Sequence, residues 1–396
     1  MPFKIPLAVY VVAHPSFPGG QEMCDFIYTT LNRDPSKPLT RSIGIPVYFR
    51  NSNSTGANSP AEIDFNESEY TSIIVLICTD FILDIAYKQY VDKLIDNCGS
   101  NEPKRRIYPV ALNPNAYAAT TKLSLINFIR IDRGEIDKGI VGNETIKKHI
   151  KSNLLHELCR QLLNMKRSSE ESNSLNPAPP IKLFISHSKH DDTKLNATDF
   201  RDFINSKTQL KSFFDANDIS YGSNFGDEIK KALIADNAAL IIFQSDTYSE
   251  REWCRIEAIT AKTANCPIVI VNAIKHRERR TFPYLGNCPS IRFNNNFEDI
   301  LDQTLEQVLG NLFKRSLLDR ITDLYELQAR LILSNPPELF DFIKLKGKGY
   351  AKNGQRSVVI YPDPPLGTEE LNLLEKLDNS FFFITPLSLP ILAAKK

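Results

Sequence analysis

Trp253-Cys254-Arg255-Ile256-Glu257 places an indole and a carboxylate four residues apart, and on a helix side chains at that spacing share one face. A carboxylate stabilises positive charge developing on a neighbouring group, while an indole offers a flat apolar wall for a ring. Cys254 does not join that pair, because successive residues on a helix point roughly 100° apart.

These residues need a scaffold to hold them. Just ahead lies Ala238-Ala239-Leu240-Ile241-Ile242-Phe243-Gln244, a short apolar run ended by Ser245, Asp246 and Thr247, which reads as a buried strand. Two earlier segments have the same form. Ile181–Ile185 runs into Ser186-His187-Ser188-Lys189-His190-Asp191-Asp192, and Leu210–Phe214 runs into Asp215. Strands alternating with helical stretches predict a parallel α/β sheet, and such sheets bind ligands beyond the carboxyl ends of their strands. All three motifs are therefore expected on one edge.

Leu183-Phe184-Ile185-Ser186-His187-Ser188 resembles the first conserved box of a TIR (Toll/interleukin-1 receptor) domain. The second box and its loop follow as Phe214-Asp215-Ala216-Asn217-Asp218 through Ile229, and Trp253-Cys254-x-x-Glu257 is similar to the helix that carries the catalytic glutamate in NAD-cleaving TIR domains. Three boxes in the right order make the resemblance specific. It covers residues from about 180 to 295. It implies a bacterial protein with a flavodoxin-like parallel sheet and an NAD+ glycohydrolase activity that takes NAD+ as substrate and uses no cofactor.

Breaking the nicotinamide–ribose bond needs little acid help, because the cationic pyridinium departs neutral. Charge builds up instead at the ribose, where a carboxylate stabilises an oxocarbenium-like transition state. Glu257 takes that role, and Trp253 supplies the wall for a nicotinamide or adenine ring. Ser186, His187 and Ser188 offer donors to ribose or phosphates, with Phe184 in the same box. Asp215 opens the loop after the second strand, and Phe225 within that loop is a stacking candidate. The resemblance further implies self-association through TIR domains, a site completed only where one packs on another, and an immune effector that depletes NAD during phage infection, with a separate sensor or activator. Two alternatives stay open: a non-enzymatic scaffold signalling through homotypic TIR contacts, and a cyclase making a cyclic ADP-ribose messenger. No Gly-x-Ser-x-Gly elbow surrounds either serine, and the glycines at 222 and 226 are not followed by Lys-Ser or Lys-Thr, so serine-hydrolase and phosphate-loop readings fail.

The chain has 396 residues, more than one ordinary core needs, and a formal charge of +1. That balance gives no reason to expect nucleic acid or an acidic membrane as a partner. The basic runs Lys104-Arg105-Arg106 and Lys275-His276-Arg277-Glu278-Arg279-Arg280 read as solvated loops. Seven cysteines without a C-x-x-C pair suggest neither a disulfide framework nor a metal site. With no signal-peptide layout and no apolar run of the roughly 20 residues a bilayer crossing needs, a cytoplasmic protein is expected.

An internal repeat organises the rest. Thr71–Asp80 can be laid on Ala238–Asp246 by matching Asp80 to Asp246, an offset of 166 residues, which sets Tyr87 on Trp253 and Val91 on Glu257. Further pairs follow: Ile45–Phe49 with Leu210–Phe214, Ile107–Leu112 with Pro267–Val271, and Asn127–Asp132 with Ser290–Phe293. The expectation is two α/β domains of one type, the first (1–166, opening with Leu7–Pro15) a degenerate TIR-like fold without the acid. A polar, then proline-rich linker (167–180) leads to the TIR domain (181–318), followed by a helical connector and a small α/β module (319–396). Apolar stripes at Ile146, Ile150, Leu154, Leu155, Leu158, Leu162 and Leu163, and from Ile300 through Leu324 and Tyr325 to Leu331, predict helices facing a core or a protomer contact. In the last module, Ser357–Tyr361 and Phe381–Thr385 read as strands, with a capped helix starting at Thr368.

Overall fold

The apolar runs form the inner strands of parallel sheets. The structure, a computed structural model, describes residues 3–32, 42–52, 59–99, 104–165, 178–189, 193–208, 210–213, 225–277, 282–326, 330–338, 340–343 and 356–390. It divides into one unit of Met1–Pro177 with Asp319–Leu324, and a second of Ala178–Leu318 with Tyr325–Lys396.

In the first unit β1 (Ile5–Val12), β2 (Val47–Arg50), β3 (Ser68–Ile77), β4 (Arg105–Ala111) and β5 (Ile129–Arg130) form a parallel sheet in the order β2-β1-β3-β4-β5. In the second, β6 (Lys182–His187), β7 (Lys211–Phe213), β8 (Ala238–Gln244), β9 (Ile268–Asn272) and β10 (Ser290–Arg292) form another in the order β7-β6-β8-β9-β10. Numbered within each unit, both orders are 2-1-3-4-5, the flavodoxin-like arrangement, whose order reverses beside the first strand and opens a crevice there. A third sheet of β11 (Arg330–Ile332), β12 (Ser357–Ile360) and β13 (Phe381–Ile384), again parallel, belongs to the second unit.

Period-2 alternation divides the second sheet between two cores. Phe184, Leu240 and Ile242 pack with Ile229 and Leu233 of the helix Phe225–Ile234 and with Ala258 and Ala261 of the helix Glu252–Ala264. On the opposite face Phe243 meets Phe200 and Phe293 at ring-centroid distances of 5.8 and 6.0 Å, and Phe297 closes on Phe200 at 5.6 Å. The Glu252–Ala264 helix stops where Asn265 turns left-handed at φ 55°, a usual helix end.

The structure corrects several expectations. The first strand of the second unit runs on through His187, because Ser186 and His187 keep pairing with Ile242 and Phe243. Ser186 and His187 are thus strand residues rather than loop residues. The long helix Phe297–Leu324 ends before Leu331, which lies in β11, and Glu326 leaves the helical region at φ 48°. Both apolar stripes are buried within the chain from Ile146 to Leu163 and from Ile300 to Phe313, so over these spans the faces are core, whereas Leu324, further along the second stripe, is 53% exposed. Of the expected linker, 167–177 lie outside the described residues, and Ala178 is buried. The C-terminal module packs Leu331, Leu333, Phe342, Val359, Tyr361, Phe381 and Phe383 together. The ion pair Lys262–Glu338 at 3.0 Å and the edge-on contact of Tyr284 with Phe340 tie it to its neighbour in the same unit.

The repeat holds at an offset one residue longer than the ungapped alignment. Each third strand ends on a carbonyl that accepts from the residue after the fourth: Ile77 from Leu112 N–H at 3.1 Å, and Gln244 from Ala273 N–H at 2.9 Å. Asp84 and Arg251 are the matching N-caps, and buried Tyr87, Val91 and Leu94 have the phase of Cys254, Ala258 and Ala261. On that register Tyr90, not Val91, stands in the place of Glu257.

Candidate functional site

Alternation along β6 sends Phe184, Ser186 and Ser188 toward the face covered by the Glu252–Ala264 helix, and Leu183, Ile185 and His187 toward the other. Phe184, 3% exposed, lies inside the core cluster and underpins the site from below instead of lining it. Phe184→Ala is accordingly expected to destabilise the domain by about 3–5 kcal/mol, read as a lowered melting temperature, with ligand affinity per folded molecule little changed.

Two residues further along, Ser186 Oγ donates to Glu257 Oε2 and lies 2.8 Å from the Tyr248 hydroxyl. Ser186 is 1% exposed, so its hydroxyl needs such partners: an unpaired buried hydroxyl costs about 1–3 kcal/mol. Glu257 is partly buried, and Trp253, one turn earlier on the same helix, is 51% exposed. The carboxylate is therefore held from inside while the indole stands at the surface. Ser188 Oγ pairs with Thr247 Oγ1 at 2.9 Å, joining the ends of β6 and β8. Asp246 accepts from the backbone N–H groups of Lys275 and His276, each at 3.2 Å, which fastens the segment after β9 to the same edge.

His187 belongs to the opposite face and is 7% exposed. Its carbonyl accepts from the Cys254 thiol at 3.5 Å, so Cys254 is spent on locking helix to strand. Asp215 lies outside the described residues, and Phe225 is described only as the first residue of its helix. The structure thus brings together Ser186, Ser188, Trp253 and Glu257, sets Phe184 beneath them and leaves the His187 side chain apart.

Tyr248 is the residue that sequence reasoning missed. Fully buried, it sits within the core cluster with its hydroxyl on Ser186 and 3.3 Å from the carbonyl of Cys254. Burial, then the neighbouring Cys254 and Glu257, raise its phenol well above the usual value of 10, so it stays a neutral donor. In the first unit the positions equivalent to Ser186, Tyr248 and Glu257 carry Val12, Phe81 and Tyr90. Val12 and Phe81 are 0% exposed, and the Tyr90 hydroxyl donates instead to the carbonyl of Ala61 at 2.9 Å. The polar constellation is absent there as a set.

The TIR domain family matches residues 183–309, which run from β6 into the first half of the Phe297–Leu324 helix and contain every element of the site. The chain carries a TIR domain. Among solved structures it is similar to the TIR domains of the activated Roq1 resistosome directly recognizing the pathogen effector XopQ, at 14% identity over 34% of this chain and 83% of that one, with a TM-score of 0.21. No match to a curated protein was found. Among the described residues, no helix is long and apolar enough to cross a membrane.

Proposed function

We propose that the TIR domain is an NAD+ nucleosidase that cleaves the nicotinamide–ribose bond, with Glu257 as the catalytic residue. The observation that carries this reading is the hydrogen-bonded, partly buried Glu257 carboxylate at the carboxyl edge of the sheet, one turn from the exposed indole of Trp253. The hydrogen bond from Ser186 fixes the carboxylate, whose charge then faces the ribose. As the pyridinium leaves neutral, the sugar gains positive charge, and a fixed carboxylate in a partly desolvated setting stabilises it more than water does. Trp253 holds a flat ring of the substrate by stacking. Thr247, partly exposed and held by the fully buried Ser188, brings a hydroxyl to the same edge for ribose or phosphate oxygens. NAD+ is the substrate, and the reaction as drawn uses no further cofactor.

Exposure of Trp253 also fits a site that a second TIR domain completes. On this reading the protein is a cytoplasmic effector of antiphage or innate immunity, switched on by self-association under a separate sensor or activator. The first unit, without the polar set, and the C-terminal module govern that assembly. The test is nicotinamide release by the purified chain across a dilution series. Specific activity is expected to rise with protein concentration, and a value independent of concentration would remove the assembly requirement. Chromatography of the ribose product separates hydrolysis to ADP-ribose from cyclisation.

A further inference from the structure

We infer that Tyr248 is a positioning residue: its hydroxyl, acting through Ser186, holds the Glu257 carboxylate in its reactive orientation. This rests on the nucleosidase reading for its catalytic consequence and on geometry alone for its structural part.

Ser186 has one hydroxyl proton and gives it to Glu257. Its oxygen, 2.8 Å from the Tyr248 oxygen, is then left to accept. Tyr248 also has one proton, and the alternative acceptor, the Cys254 carbonyl, is longer at 3.3 Å. The two protons therefore settle in one direction, from Tyr248 to Ser186 to Glu257, and each bond in such a chain polarises and strengthens the next. The chain is fed from a fully buried phenol, so water does not compete for it.

The first unit supplies an internal control. It has the same strand order, yet its fully buried Phe81 occupies the register of Tyr248, Val12 that of Ser186 and Tyr90 that of Glu257. A phenylalanine at this position is thus compatible with the fold, and the hydroxyl that Tyr248 adds has no counterpart where the carboxylate is missing. The three polar groups occur together in one unit and are lost together in the other, as expected of parts that serve one another.

The experiment compares the full chain with Tyr248→Phe, Ser186→Ala and the double variant. Tyr248→Phe is expected to melt with the wild type, lose about tenfold in kcat for nicotinamide release and leave KM within about twofold. In the Ser186→Ala background the second substitution is expected to cost less than about twofold, because both act through one chain. An unchanged kcat in Tyr248→Phe, or a full tenfold loss added to that of Ser186→Ala, would overturn the inference. A readout independent of turnover is the carboxyl carbon resonance of Glu257 in glutamate-labelled protein, assigned by its absence in Glu257→Gln. Losing a donor to the charged form is expected to move its titration to higher pH by roughly half a unit in both Tyr248→Phe and Ser186→Ala. A titration that stays in place in both overturns the positioning role. If it moves while the wild type releases no nicotinamide, the positioning role stands and the nucleosidase reading falls.

Discussion

Glu257→Gln is expected to lower nicotinamide release by about three orders of magnitude or more while leaving folding intact. Glutamine keeps the shape of the side chain and an oxygen that accepts from Ser186, so the helix and its packing are retained. What disappears is the negative charge facing the ribose. Because the leaving group needs no proton, a substitution that only altered acid catalysis would cost little, and the size of the loss distinguishes electrostatic stabilisation from proton transfer. Glu257→Asp sharpens the point. It keeps the charge but withdraws it by one methylene from both Ser186 and the substrate, so an intermediate loss is expected, measured in the same assay beside matched melting curves.

The second large effect concerns the first unit. Tyr90→Glu installs a carboxylate at the position equivalent to Glu257, and it is expected to destabilise that unit by about 3–5 kcal/mol without generating activity. Tyr90 is 7% exposed, and burial already pushes its phenol up to about 12, which shows how poorly the site accepts negative charge. Val12 and Phe81 stand where Ser186 and Tyr248 would supply hydrogen bonds, so the new carboxylate lacks those two donors, and the nearby Arg50 charge offsets its burial in part. Burial raises its pKa above the unfolded-chain value of roughly 4.3, so the acid is tolerated while protonated. Destabilisation is therefore expected to be small below about pH 4 and to grow as pH rises. A denaturant series at pH 4 and pH 8 checks it, and equal losses at both would remove the charge from the explanation. Adding Val12→Ser and Phe81→Tyr is expected to recover part of the stability.

Much of the fold was legible because long apolar runs in a two-sided α/β protein have few other uses. Ala238–Gln244 is buried at all seven positions, and the polar residues after each run mark the carboxyl edge where the site lies. That same uniformity hid the register. When every residue of a strand is apolar, sliding one strand against its repeat by one residue leaves the pattern unchanged. The strand-end hydrogen bonds, the N-caps and the burial phase of the following helix fix the register, and they moved the equivalent of Glu257 from Val91 to Tyr90. Tyr248 was missed for a related reason. In the ungapped alignment it faces Ile82, an aliphatic residue that gives no hint of a shared aromatic position, whereas against Phe81 it is one aromatic core position that carries a hydroxyl in one copy. The spacing of Trp253 and Glu257 was readable outright, since a four-residue interval on a helix defines a face. Leu331 continued an apolar spacing by coincidence, which no side-chain pattern distinguishes from a longer helix.

The central claim is that one carboxylate in the TIR domain breaks the nicotinamide–ribose bond. The most direct measurement incubates the purified full chain, at low and at high concentration, with NAD+ labelled on its nicotinamide, beside Glu257→Gln that melts at the same temperature. Free nicotinamide is expected from the wild type, more per molecule at the higher concentration, and only background from the variant. Equal release by both proteins, or none from the wild type at any concentration, would contradict the account.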